Sequence, residues 1–488
     1  MCSDSFLRGK VVLGIDRLCC LPVLLPLYLK MKLKSFAVFL AIGFSIAFVS
    51  TVVYLISSER DRRKKNEEDD YDRETLNFPF LQDAKTIEFI MNSKTMFIMR
   101  GLPGSGKSEI ARNIKQVYGD MAVICSADDL RLNEQGEYIW KMEEYEETHL
   151  KCNKKASRTC EDGIPVVVID NTNVDSRKLS KYITIAHNTG YHVVLVEPRT
   201  WWKYNITELV LRNQHSVNED TLRDQMSKFK QFFAVYYGWF PSEEKLRTLK
   251  DYMLQILRDC IEKIPSFRDQ LIKEKYEDAQ DFSTTLTEVT CAALSLSCLE
   301  KQPYRLHITS FFDQGIFGHK SSDYVSLSAV QEALGSVTTL TVIAWTITPR
   351  ALTARVKLSP SQLKLWRNLD SGASGEEGHN FRFKEAAACV SDTERSAFIP
   401  VSYANLAVKP TVGVGDTAHI TLSLQRDTRP LQGRHDMCEL VRLEMANQGY
   451  LEYAVTKGLA RDYGDGHWAV YLNEPIYIDA LFTGFYGF

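Results

Sequence analysis

The sequence has no C-x-x-C pair and no repeat of solenoid period. Its eleven cysteines are odd in number and scattered. That pattern excludes a zinc ribbon and a disulfide scaffold, and it fits free thiols in a reducing compartment. Lysine plus arginine number 59 against 62 aspartate plus glutamate, a net charge of −3. The chain as a whole therefore lacks the basic excess of a duplex-DNA binder, although a local basic groove is compatible with it. Hydrophobic residues at 44% and charged residues at 25% exclude a fibrous or mainly disordered chain. A length of 488 residues suits two to four folded units.

Long apolar runs are also scarce. Residues 35–58 carry no charge and form the one stretch long enough to cross a bilayer, which takes about 20 apolar residues. Its length, and the absence of a clean small-x-small cleavage site, favour an uncleaved anchor over a signal peptide. Arg60, Arg62, Arg63, Lys64 and Lys65 follow the span, whereas Lys30, Lys32 and Lys34 precede it. The positive-inside rule then favours a single-pass membrane protein whose remaining chain is cytosolic. Residues 1–34 form an N-terminal segment, and residues 59–84 form a linker dense in charge of both signs.

Beyond the linker, strand-like runs at Thr95–Met99, Met121–Cys125, Val166–Asp170 and His192–Glu197 alternate with helical stretches. The alternation predicts an α/β domain over residues 85–280, with a parallel sheet covered by helices. A second, α+β unit over residues 281–488 has strand candidates at Tyr304–Ser310, Thr338–Thr348, Ala351–Leu358, Ala418–Leu424 and Tyr477–Phe482.

Two patterns carry chemistry. Gly101-Leu102-Pro103-Gly104-Ser105-Gly106-Lys107-Ser108 fits G-x-x-x-x-G-K-[ST] between a strand and a helix. Glycines in such a loop let backbone N–H groups face a phosphate. Lys107 is placed to reach β/γ-phosphates and Ser108 to ligate Mg²⁺, so ATP with Mg²⁺ is the expected ligand of this domain. Acidic residues follow the next two strands, at Asp128-Asp129-Leu130-Arg131 and at Asp170-Asn171-Thr172-Asn173. A carboxylate at a strand's C-terminal end can hold a metal or take a hydroxyl proton. Helix capping is the alternative role of Asp128 and Asp129.

The second pattern is a pair of H-x-T segments, His307-Ile308-Thr309 and His419-Ile420-Thr421. In a strand, residues i and i+2 share a face. Each histidine thus lies beside its threonine while the isoleucine turns inward. Two imidazoles and two hydroxyls around one cavity suit phosphodiester hydrolysis without a metal. One ring takes a proton from water, the other gives one to the leaving alkoxide, and the hydroxyls donate to phosphoryl oxygens. Satisfied core histidines are the other reading of the same spacing.

Paired H-x-T motifs behind a P-loop domain resemble the 2H phosphoesterases, specifically the 2′,3′-cyclic nucleotide 3′-phosphodiesterase family and its fish regeneration-induced homologues. The resemblance extends to Val194–Thr200, Tyr237-Gly238-Trp239-Phe240 and Leu481–Gly487. It implies a polynucleotide-kinase-like P-loop domain followed by a two-lobed 2H domain. It also implies hydrolysis of nucleoside 2′,3′-cyclic phosphates to 2′-phosphates by His307 and His419, with Thr309 and Thr421 on the phosphate. Phe312 would stack on the base, and Asp128 and Arg131 would be a kinase-type base and phosphate ligand. RNA ends bearing 2′,3′-cyclic phosphates are larger candidate substrates. An RNA end-healing kinase, or a membrane-attached scaffold for RNA or cytoskeleton, are the alternative readings. Two departures stand out. Family members usually end in a prenylated C-a-a-X tail whereas this chain stops at Phe488, and the mammalian arginine two residues before the second histidine is Thr417 here.

Overall fold

A computed structural model describes residues 75–131, 142–275, 306–312, 320–367, 405–424, 428–446 and 449–487. These fall in one compact unit, Thr75–Phe488. No helix among the described residues is long and apolar enough to cross a membrane. The expected span at 35–58 and residues 59–74 of the expected linker lie outside the described residues. Residues 75–84 are not a solvated linker, since they include the helix Pro79–Gln82 with Phe78 and Phe80 buried in the core.

The first sheet contains β1 (Thr95–Met99), β2 (Ala122–Cys125), β3 (Val166–Ile169) and β4 (His192–Val196), in the order β2-β3-β1-β4. All three pairings are parallel. Every residue of β1 and β3 is buried. That follows from their composition: near-continuous apolar runs suit a parallel strand covered on both faces. On one face Phe97, Met99, Val166 and Val168 pack with Ile110, Ile114 and Tyr118 of the helix Lys107–Tyr118. On the other, Met96, Ile98 and Val167 pack with Cys152 and Ala156 of Tyr145–Glu161 and with Leu179 and Ile183 of Ser176–Thr189.

The second sheet is antiparallel. It takes β5 (Tyr236–Pro241), β6 (Ile308–Phe312), β7 (Val337–Ile347), β8 (Ala351–Lys357), β9 (His419–Leu424), β10 (Leu451–Val455), β11 (Gly458–Asp462) and β12 (Trp468–Phe485). β12 is the spine. Its first part pairs with β11, its last part with β5, and β7 runs along its other side with a shift between Tyr471 and Ile476. Beyond β7 come β8 and β9, and beyond β5 comes β6. The sheet curls enough to bring β6 and β9 into contact. Trp239, Trp345 and Trp468 fill its interior.

The strand β5 lies well before residue 281, where the second unit was expected to start, yet it is hydrogen-bonded inside the second sheet. Two helices, Glu243–Lys263 and Pro265–Lys275, follow β5. Proline at 265 cannot continue the first helix, because it lacks an N–H, but its fixed φ suits the start of the next. β10 and β11 were not expected. They form a short hairpin whose β10 residues are mostly exposed, and so show little apolar alternation.

The second sheet is tied to the helix Ala84–Met91 and to β4. Val337 N donates to Thr86 Oγ1 at 3.0 Å, and Thr483 Oγ1 donates to Val193 O at 2.7 Å.

Candidate functional site

The phosphate loop is held from outside as well as by its own turns. Gly106 caps the helix Lys107–Tyr118 at φ +103°, a left-handed conformation that side chains disfavour. Thr200 Oγ1 donates to Ser105 O at 2.9 Å and Trp202 Nε1 donates to Gly104 O at 3.0 Å. Both anchors come from the segment after β4, the strand beside β1.

Within the loop, Lys107 Nζ donates to Leu102 O at 2.8 Å. Burial pushes its pKa down to about 8, opposed by the charges of Asp170 and Asp128. Burial also raises the Asp170 carboxyl above its ordinary value, opposed by a hydrogen bond from Ser108 and by Lys107. The Ser105 hydroxyl is buried with no hydrogen-bond partner among the described residues. An unsatisfied donor, a strained cation and a buried carboxylate beside a serine are what a nucleotide's phosphates and Mg²⁺ would complete.

Asp128 stands at the same mouth. Its carboxylate lies 3.5 Å from Arg131 and 3.5 Å from His215. Arg131 is buried, its guanidinium 5.3 Å from the ring centroid of Tyr145. The structure therefore gathers Lys107, Ser108, Asp128, Arg131 and Asp170. His215 was missed, because nothing in its surrounding sequence marks it; only the return of the chain after the helix Ile206–Arg212 brings it to Asp128.

The second constellation sits where β6 and β9 meet. His307 immediately precedes β6, and its Nε2 lies 3.0 Å from Thr309 Oγ1. Tyr236 stacks on the imidazole at 4.2 Å between centroids and 12° between planes, and Phe240 flanks it at 5.2 Å. Both rings come from β5. Gly238 between them lets β6 approach: a Cβ there would lie 2.0 Å from the carbonyl oxygen of Ile308. The aromatic richness of Tyr236–Phe240 was visible in the sequence, but its partner was not.

A bulge decides where Phe312 points. The β5–β6 register passes from Tyr237↔Phe311 to Gly238↔Thr309, which leaves Ser310 as an extra residue. Simple alternation would place Phe311 on the face of His307 and Thr309. The extra residue reverses that parity. Phe311 is buried and stacks on Tyr324 at 4.3 Å, while Phe312 is 37% exposed. Core packing is thus the role of Phe311 and not of Phe312.

On β9, His419 Nδ1 lies 2.7 Å from Thr417 O. A carbonyl oxygen can only accept, so Nδ1 carries the proton and Nε2 holds the lone pair. Burial pushes the His419 pKa down to about 4; Arg434 and Arg355 add to the lowering, and the bond to Thr417 O opposes it. The ring is therefore neutral at neutral pH. Thr417 contributes through its backbone, and the positive charge near His419 comes from elsewhere: Arg355, opposite His419 in the β8–β9 register, and Arg434 of the helix Pro430–Ala446. Arg355 is locked by a buried ion pair with Glu444, which also accepts from Tyr471 Oη. His419 and Thr421 are both half-buried, with Ile420 and Leu422 in the core. Among the described residues no group of three or more His, Cys, Asp or Glu side chains is arranged to hold a metal.

A parallel sheet with a P-loop-like turn, joined to a curled antiparallel sheet, defines a two-part α/β class of protein. The comparisons narrow it. A family model described as AAA domain matches residues 96–232. One described as 2′,3′-cyclic nucleotide 3′-phosphodiesterase (CNP or CNPase) matches residues 233–379 and 382–488, more than half of the chain. The chain belongs to the 2′,3′-cyclic nucleotide 3′-phosphodiesterase family. It is 26% identical to the 2′,3′-cyclic-nucleotide 3′-phosphodiesterase of Mus musculus, covering 87% of this chain and 90% of that protein. The protein of the same description from Pongo abelii is 27% identical over the same shares. NEDD4-binding protein 2 of Homo sapiens is 28% identical over 40% of this chain and 11% of its own length.

Proposed function

We propose that this protein hydrolyses nucleoside 2′,3′-cyclic phosphates to 2′-phosphates at the meeting of β6 and β9, with His419 as general base and His307 as general acid. The observation that carries the assignment of roles is the bond from His419 Nδ1 to Thr417 O, at 2.7 Å. It leaves Nε2 with a lone pair on a ring whose pKa is lowered to about 4. Such a ring takes the proton of an attacking water.

Water oxygen bonds to phosphorus as the bond to the 3′ oxygen breaks. The proton from water passes to His419 Nε2, and His307 Nε2 delivers a proton to the departing 3′ oxygen. The face of Tyr236 lies against the His307 ring and sets its plane. Thr309 and Thr421 donate hydrogen bonds to the phosphoryl oxygens as charge builds there. Phe312 offers its exposed ring to the base, a contact that tolerates any base. That tolerance suits the 2′,3′-cyclic phosphate end of an RNA as well as a mononucleotide.

At the first sheet the proposed ligand is ATP with Mg²⁺. Lys107 would meet the β/γ-phosphates and the Ser105 hydroxyl another phosphate oxygen, while Ser108 and Asp170 would hold the cation. The bound cation would neutralise phosphate charge. Attachment to a membrane through residues 35–58, with the catalytic part cytosolic, completes the proposal.

The test is hydrolysis of 2′,3′-cyclic AMP with the position of the product's phosphate resolved by phosphorus NMR. Release of 2′-AMP without added metal is the expected result. A folded protein that turns over no substrate, or releases 3′-AMP, would overturn it.

A further inference from the structure

His307 lies just ahead of β6, with aromatic rings of β5 packed on its imidazole. Its ring is held by stacking, and the stack does not end at Tyr236. Phe485 of β12 lies against Tyr236 at 4.8 Å and 3°. His187 lies against Phe485 at 4.5 Å and 4°. With Tyr236 on His307 at 4.2 Å and 12°, four rings form one column of nearly parallel planes.

Each member is fixed by a different element. Tyr236 and Phe485 are cross-strand neighbours in the β5–β12 register, and Val235 N donates to Phe485 O at 2.8 Å. Tyr236 is 8% exposed and has no room to swing aside. His187 sits in the last turn of the helix Ser176–Thr189, which belongs to the parallel sheet. That helix follows the loop that leaves β3 past Asp170. The column therefore runs from the phosphate-loop half of the molecule to an imidazole of the other half.

We infer that His187 and Phe485 are positioning residues for hydrolysis: they hold the Tyr236 ring flat against His307, and so fix the plane from which His307 Nε2 delivers its proton. The inference rests on the proposed role of His307. A general acid must present its N–H along the direction of the departing oxygen, and a small misplacement costs rate without costing binding. If Tyr236 loses its outer support, it can tilt and the imidazole with it. The effect should be that of weakening one ring–cation contact, about a two- to five-fold loss in kcat.

The test uses the full chain with 2′,3′-cyclic AMP. His187→Ala and Phe485→Leu remove a ring, whereas His187→Phe and Phe485→Tyr keep one. The ring-free variants are expected to lose about two- to five-fold in kcat at unchanged KM, and the ring-retaining variants to recover it. In protein labelled at histidine, the His307 Cε1–H resonance should shift in the ring-free variants as the ring current of Tyr236 changes. Wild-type kcat and an unmoved resonance in both ring-free variants would overturn the inference. So would a loss as large in the ring-retaining variants. His307→Ala separates the two levels: hydrolysis that survives it sinks the role of His307 itself. Its loss there, together with unaffected ring-free variants, sinks only the column.

Discussion

The two candidate sites are built in opposite ways. The loop at residues 101–108 is contiguous, and its chemistry is mostly backbone: glycines at positive φ, amides at a helix start, one lysine and one serine. The site on the second sheet is made of side chains brought from β5, from β6 and the residue before it, and from β8 and β9, on strands whose register shifts at a bulge in β6. A contiguous loop needs only one strand and one helix to take shape. An assembled site depends on the curl of an entire sheet and on buried groups that hold its edges in register. The second site should therefore be more sensitive to substitutions far from the chemistry.

The widest separation is expected from removing the reacting groups. His307→Ala and His419→Ala should each lower kcat by about 10²–10⁴, the usual cost of a lost proton-transfer group. ATP binding, followed by fluorescence of a labelled nucleotide, should stay at the wild-type level in both. Lys107→Ala should do the reverse, weakening ATP more than about tenfold, as expected when a charged hydrogen bond to phosphate is lost. Hydrolysis should be unchanged. Equal damage to both functions from either change would break the comparison.

Dependence on distant burial is tested at Glu444. Glu444→Leu leaves Arg355 buried without its carboxylate. Breaking such a pair costs about 3–5 kcal/mol. Urea unfolding should record that loss. Because Arg355 faces His419 across β8 and β9, hydrolysis should fall while the phosphate loop still binds nucleotide. Stability and hydrolysis at the wild-type level would remove the argument that the second site leans on the sheet.

A smaller contrast divides neighbours. Phe312→Ala should raise KM by the equivalent of about 1–3 kcal/mol, the worth of one base–aromatic stack, and leave the melting temperature alone. Phe311→Ala should act mainly on stability, because that ring lies in the core against Tyr324. Calorimetry alongside steady-state kinetics would show whether the bulge sorts the two rings as described.

The mildest effect lies in pH. An ordinary histidine titrates near 6.5. His419 titrates at about 4. As a base it must be neutral, so the acid limb of kcat/KM should fall near pH 4, and activity should pass through pH 6.5 without loss on that account. The sign for stability is the same. The folded state disfavours the proton, so this contribution is full above pH 6.5 and fades as pH drops toward 4. An acid limb near 6.5 would point to a solvated ring.

Much of this was legible without coordinates, for a physical reason. Apolar runs set β1 to β4, and turn chemistry with a glycine-rich spacing set the phosphate loop, because both depend on residues close in sequence. The period of two placed His307 beside Thr309 and His419 beside Thr421 for the same reason. Tertiary structure decided what depends on partners distant in the chain. It took β5 into the second sheet, since Gly238 allows a backbone contact that a side chain would block. It reversed Phe311 and Phe312 through one extra residue in β6. It set the tautomer of His419 by the position of a carbonyl, and it brought His215 to Asp128 and His187 toward His307. Residue types and spacing determined which groups lie side by side; burial, register and ring stacking determined their partners and, at His419, which ring nitrogen carries the proton.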